Sequence, residues 1–127
     1  MTKKYELLAT HFRMLYYKFK VGLRNIISNN KIVLDDGNLE LGKNITLGEN
    51  CVINCFDMIC LGDNLLTSDN VNFIKNTHNY TDINKPINQS GGGKAPITIK
   101  EDCWIGINVT ILGGIIIGKH CVVGANS

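Results

Sequence analysis

Between residues 39 and 127, aliphatic side chains return every six residues. That interval fits neither the 3.6-residue period of a helix nor the two-residue period of a long strand. The returning residues come in pairs two apart: Leu39/Leu41, Ile45/Leu47 and Cys51/Ile53, then, after two extra residues, Ile59/Leu61, Leu65/Thr67 and Val71/Phe73. A second block runs Ile97/Ile99, Cys103/Ile105, Val109/Ile111, Ile115/Ile117 and Cys121/Val123. Within each pair the period of two puts both side chains on one face of a short strand. Gly often follows the pair, as at Gly42, Gly48, Gly62, Gly106, Gly118 and Gly124. Asn, Asp, Gly or His often stands three residues after it: Asn44, Asn50, Asn64, Asn70, Asn76, Asp102, Asn108, Gly114, His120 and Asn126. These residue types let a backbone turn sharply, some of them through positive φ.

One six-residue side cannot bury its apolar face alone, so the chain must coil and stack its turns around a shared core. The expected fold is all-β, a parallel β-helix of hexapeptide repeats with coils about 4.8 Å apart. Cys51, Cys103 and Cys121 suit a narrow interior as inert buried thiols. The repeat is still returning at Val123, where an uncapped coil would leave apolar side chains and strand edges in water. This predicts either a truncated product or a further chain covering that end.

Two segments depart from the rhythm. Over residues 3–28, Leu8, Phe12, Leu15, Phe19, Leu23 and Ile26 make one apolar stripe at helical spacing, closed by "SNN" at 28–30. The chain therefore divides into an N-terminal amphipathic α-helix, 1–30, and a β-helix domain, 31–127. Residues 1–31 carry seven Lys/Arg against one Glu, while the rest carries six against ten Asp/Glu. The basic helix either packs on its own domain or a partner subunit, or lies on an anionic membrane surface. The whole-chain excess of only +2 is no nucleic-acid signature. The second departure is 74–96, "IKNTHNYTDINKPINQSGGGKAP", a polar loop thrown out of the stack. Such an excursion from so regular a scaffold points to function.

Five cysteines without a CxxC motif argue against a disulfide scaffold and for a reducing, cytoplasmic compartment. Lys and Arg interrupt the apolar residues near the start, so no signal peptide is read. No apolar run approaches the roughly 20 residues of a membrane span. Among the histidines, His11 falls in the helix and His120 at a corner of the repeat. His78 opens the excursion, where an imidazole can take up a proton near neutrality. A solvent-facing loop histidine and a catalytic base stand about even on the residues alone. Asp57 or Asp69 could orient it after coiling. With two histidines outside the terminal helix and no close ligand cluster, no metal is expected. "GGGK" at 91–94 lacks the spacing of a phosphate-binding loop.

The order "THNY", a loop, then "APITIKEDCWIGINVTILGGIIIGKHCVVGANS" resembles the hexapeptide-repeat acyltransferases, most closely the polysaccharide and sugar O-acetyltransferases. The resemblance covers roughly residues 39–127. It implies a left-handed β-helix of triangular section, assembled as a homotrimer with active sites between subunits. It further implies acetyl-CoA as co-substrate, with His78 as general base and Trp104, Gly106, Ile107, Gly124 and Ala125 along the coenzyme channel. Asp57 and, more loosely, Asn84 fall where an acceptor binds. The implied reaction acetylates a saccharide hydroxyl, as in capsule or lipopolysaccharide synthesis, and the basic helix would suit work at the inner face of a membrane. Competing readings are a xenobiotic or small-metabolite acetyltransferase, a non-catalytic trimeric scaffold, and a zinc hydratase, against which the scarcity of histidine counts.

Overall fold

The computed structural model describes residues 26–27, 30–34, 38–55, 57–74 and 76–127. They wind into a parallel β-helix with three sides. The first coil consists of β1 (Ile26–Ile27), β2 (Lys31–Leu34) and β3 (Asn38–Leu41). The second holds β4 (Thr46–Leu47), β5 (Val52–Cys55) and β6 (Met58–Leu61). In the third, β7 (Leu66–Thr67) and β8 (Asn72–Ile74) precede a ribbon of β9 (Asn76–His78) and β10 (Gly92–Lys94), after which β11 (Ile97–Ile99) completes the turn. The fourth has β12 (Trp104–Ile105), β13 (Thr110–Leu112) and β14 (Ile116–Ile117), and β15 (Val122–Val123) opens a fifth.

Each side is a stack of equivalent strands. The first side runs β1-β4-β7-β12-β15, the second β2-β5-β8-β13, and the third β3-β6-β11-β14. Pairing is parallel and in strict register: Thr46 lies opposite Leu66, Leu66 opposite Trp104, and Trp104 opposite Val122. Ile59 pairs with Ile97 although the ribbon separates them in sequence. The two extra residues between Ile53 and Ile59 are absorbed at the corner after β5 and leave that register intact.

The alternation within each short strand decides the core. Ile45, Leu47, Cys51, Ile53, Ile59, Leu61, Leu65, Val71 and Phe73 are buried, as are Ile97, Ile99, Cys103, Ile105, Val109 and Ile111. Each fully buried large aliphatic residue contributes about 1.5–3 kcal/mol of transfer free energy. The one polar member of a pair, Thr67, is buried because its Oγ1 accepts the Gly48 N–H at 3.0 Å. The upper layer is less covered: Ile115 is 45% exposed, and Ile117, Cys121 and Val123 are only partly buried.

The corners depend on backbone that turns through positive φ. Asn44, Asn50, Asn64, Asn70, Asp102, Asn108, His120 and Asn126 all lie near φ 55–60°, and Gly114 at 87°. Asn adopts this region more readily than most residues with a Cβ. The corner side chains also form ladders. Asn44 Nδ2 donates to Asn64 Oδ1 at 2.9 Å, Asn70 to Asn108 at 3.2 Å, and Asn108 to Asn126 at 3.0 Å. Of the corner positions expected from sequence, Asn76 departs, because it starts β9 instead of turning the coil.

The excursion at 74–96 leaves the stack as expected, but it is not plain loop. Asn76–His78 pair antiparallel with Gly92–Lys94, His78 lying opposite Gly92. A 3-10 turn at Ile87–Gln89 lies in the segment beyond. The glycines that read as flexible supply a strand here, with Gly91 turning into it at φ 73°.

The helix expected over 3–28 lies outside the described residues as far as residue 25, and its last turn is corrected. Ile26–Ile27 form β1, paired with Thr46–Leu47. Two adjacent β-branched residues favour an extended chain, and pairing to β4 satisfies their backbone. The β-helix thus begins before residue 31. Asn30, read as part of the helix stop, is buried, and its Oδ1 accepts the Cys51 N–H at 2.7 Å.

Gly62 gives a direct test of coil spacing. A Cβ added there would stand 2.6 Å from the backbone at Lys100 and Glu101, whereas one at Gly118 would meet only the Cys121 sulfur at 3.7 Å. Gly62→Ala is expected to cost about 1–3 kcal/mol, with a lowered Tm. Gly118→Ala should stay within about 0.5 kcal/mol of the parent in the same melt.

Candidate active site

Three corners run up the β-helix, and the chemistry-bearing residues divide among them. Between the second and third sides lies the ribbon corner. The chain leaves the stack after Ile74 and rejoins it before Ile97. The fourth coil clamps both points from above, with Gly113 N–H donating to Ile74 O at 3.0 Å and Gly114 N–H to Pro96 O at 2.8 Å. The ribbon therefore grows from a fixed base. His78, exposed, is the last residue of β9.

The segment just past His78 is held by local hydrogen bonds. Asn79 N–H donates to Gly91 O at 3.0 Å, which closes the ladder. Asn79 Oδ1 then accepts from Thr81 N–H at 3.1 Å and from the Thr81 hydroxyl at 2.8 Å. Asp82 Oδ1 accepts the Asn84 N–H at 3.0 Å, so Asn84 sits in the exposed tip. That tip also presents Tyr80, Ile83 (93% exposed) and Ile87 to solvent.

Asp57 lies at the ribbon's root. It precedes β6 directly, and β6 pairs with β11, so Asp57 is level with the residues where the chain re-enters the stack. Asp69, the other carboxylate considered for His78, is on a different corner. Its Oδ1 accepts the Glu49 N–H at 2.8 Å and so braces a turn. Asp63 does the same for Lys43 at 2.7 Å.

Sequence reading missed Asn54. It is in β5 opposite Ile74, directly below the ribbon's point of departure. Its Oδ1 is buried with no hydrogen-bond partner among the described residues. An orphaned buried carbonyl of this kind is costly unless something donates to it. A signal was present in the sequence: Asn54 stands where Gly42, Gly48 and Gly62 follow their own apolar pairs.

The residues assigned to a coenzyme channel gather elsewhere, on the first side and at the corner between it and the second. Trp104 faces outward from β12, 49% exposed, in line with exposed Leu66 below and Val122 above. Gly106 and Ile107 make the next turn. Gly124 and Ala125 stack directly over them, held by Gly106 N–H to Val123 O and Asn126 N–H to Ile107 O, both 2.9 Å. A Cβ on Gly106 would come 2.7 Å from Ala125 N, so the two coils touch there through backbone. Trp104, Gly106, Ile107, Gly124 and Ala125 thus form one continuous surface. Within one chain, it occupies a different corner from His78 and Asp57.

The third corner ties the fifth coil to the fourth. Lys119 pairs with Glu101, and His120 Nδ1 lies 2.5 Å from Asp102 Oδ2. The Lys119 hydrogen bond, with a backbone hydrogen bond, holds the Glu101 carboxyl below its usual range, and the same contact raises the Lys119 ammonium. His120 therefore has a structural setting, as its corner position suggested. His11 lies outside the described residues. Among the described residues no three His, Cys, Asp or Glu side chains converge as a metal site, and no helix is long and apolar enough to cross a membrane.

Comparison with known proteins places this geometry in context. The family profile "bacterial transferase hexapeptide (six repeats)" matches residues 96–127. A Mycobacterium tuberculosis protein named as a probable acetyltransferase is 36% identical over 103 residues, covering 81% of this chain and 34% of that protein. The galactoside O-acetyltransferase of Escherichia coli is 32% identical over 91 residues, covering 71% of this chain and 43% of the relative. The chain thus spans less than half the length of either relative.

The Glu101–Lys119 contact predicts a measurable titration. Its stabilising effect is present above the ordinary glutamate range and is lost as pH falls through the depressed Glu101 value. On the alkaline side it is lost as pH rises past the raised Lys119 value. In Lys119→Met, the NMR titration midpoint of the Glu101 carboxyl should move upward.

Proposed function

From the premise that this chain belongs to the hexapeptide-repeat acyltransferase family, we propose that it carries the active-site parts of an acetyl-CoA-dependent O-acetyltransferase. The acceptor is a saccharide hydroxyl. The observation that carries this reading is the ribbon corner, where exposed His78 ends a strand whose base the fourth coil braces, with Asp57 at the ribbon's root. A hydroxylated acceptor suits this corner: the reacting hydroxyl gives its proton to His78, and a second hydroxyl donates to Asp57. The oxygen attacks the thioester carbonyl, and the tetrahedral adduct collapses to expel the CoA thiolate. The imidazolium then returns the proton. No acyl-enzyme is needed, because the two substrates meet directly, and holding both in place supplies much of the rate gain.

The coenzyme surface around Trp104 and Gly106 fits an elongated ligand with an apolar arm. It is exposed, partly aromatic, and floored by backbone where glycine keeps the coils close. Because this surface and His78 are on different corners of one chain, the site is completed between copies, in keeping with a homotrimer. Asn84, at the ribbon tip, is placed to touch the outer part of a long acceptor. The relatives' names favour acetyl transfer, and the E. coli enzyme's name includes a sugar acceptor. A cytoplasmic setting, at the inner face of a membrane if residues 1–30 bind there, belongs to the same reading.

Two measurements test it. With acetyl-CoA and a panel of glycosides, nucleotide sugars and polysaccharide, free-thiol release should show kcat lower by about 10²–10⁴-fold in His78→Ala. Equal rates in both proteins would dismiss the base assignment, and no coenzyme binding at all would favour a non-catalytic scaffold. For the shared site, His78→Ala and Gly124→Trp subunits, each inactive alone, should regain activity when unfolded and co-refolded; an added Cβ at Gly124 meets nothing within 4 Å. Mixtures that stay inactive would place the whole site in one chain.

A further inference from the structure

On the first side, the residue following each apolar pair is, from the second coil upward, Gly48, Ser68, Gly106 and Gly124. Of these four residues, Ser68 alone carries a side chain. Its backbone has no freedom to shift. Its N–H donates to Ile105 O at 2.8 Å, and a Cβ on Gly48 below would stand 2.5 Å from its carbonyl oxygen. The Cβ is therefore fixed in space by the coil itself, and the hydroxyl turns only about χ1. One coil up, the Trp104 indole Nε1–H donates to Ser68 Oγ at 3.4 Å. Trp104 stands in register with Leu66, two residues short of Ser68. The bond therefore draws the indole edge along the strand toward the corner where Gly106 and Ile107 turn.

We infer that Ser68 is a positioning residue that presets the Trp104 indole along the coenzyme surface. The inference rests on the assignment of Trp104 to that surface made above. Half exposed in this chain, an indole without this anchor samples several rotamers, and the ligand must then order it on binding. The anchor removes that requirement, so its effect falls on coenzyme affinity and not on the chemical step. The position tolerates its own removal, because glycine already serves there at Gly48, Gly106 and Gly124.

The chain's one tryptophan makes the test direct. Acetyl-CoA should alter Trp104 emission in the parent protein. Ser68→Gly should raise the KM for acetyl-CoA by about 2- to 10-fold with kcat unchanged, and lower the emission anisotropy of the free protein. Ser68→Thr, which keeps the hydroxyl, should restore both. If coenzyme still alters the emission but Ser68→Gly keeps the parent KM and anisotropy, the positioning role is overturned and the coenzyme surface stands. A fall in kcat and Tm with KM unchanged marks Ser68 as merely structural and overturns it as well. If coenzyme leaves Trp104 emission untouched and Trp104→Ala keeps the parent KM, both assignments fall together.

Discussion

Every coil in this molecule satisfies its backbone through the coils above and below, and that single requirement governs the rest. A side may be short only because its strand is one of a stack, in which Thr46, Leu66, Trp104 and Val122 share a register. To keep that register, each corner must consume a fixed length and turn sharply. Left-handed asparagines do this, and their side chains then bond to the next asparagine in the column. Inside, the same register piles apolar residues into columns, and among the described residues Phe73 is the only aromatic one in the core.

The requirement also explains why the chemistry is at the corners. Outward residues in the middle of a side look into solvent from a flat strand, whereas a corner can lift a segment clear of the stack. Asn54, Asp57 and His78 are all tied to one such corner, and Trp104, Gly106 and Ile107 lead into another. A prism cannot bring two of its own edges together. A reaction using both sets of residues therefore calls for more than one prism, which is what the proposed assembly supplies.

Most of the fold was legible because a six-residue period leaves few alternatives. The interior pairs from Ile45 to Ile111 are buried, and nine of the ten proposed corner residues turn through positive φ. Three features escaped. Ile26–Ile27 completed a helical stripe in sequence, yet two β-branched residues beside an open strand edge pair with it instead. The Gly-rich end of the excursion looked like a flexible loop, but pairing with Asn76–His78 gives those glycines an ordered role that no local pattern displays. Asn54 was passed over because a lone Asn after an apolar pair carries no motif, and only the coiled structure reveals that its carbonyl is buried with no donor among the described residues. Asp57 and Asp69 were indistinguishable by spacing, and the folded corners separate them.

The ribbon's base carries an evolutionary consequence. Ile74 keeps Asn54 below and Leu112 above, and Ile97 keeps Ile59 below, as though nothing stood between them. Lengthening, shortening or exchanging the intervening segment leaves the columnar interior untouched, and loop closure grows only slowly with length. A lineage built on this scaffold can therefore trade one recognition element for another without refolding its frame, and selectivity can diverge far faster than architecture.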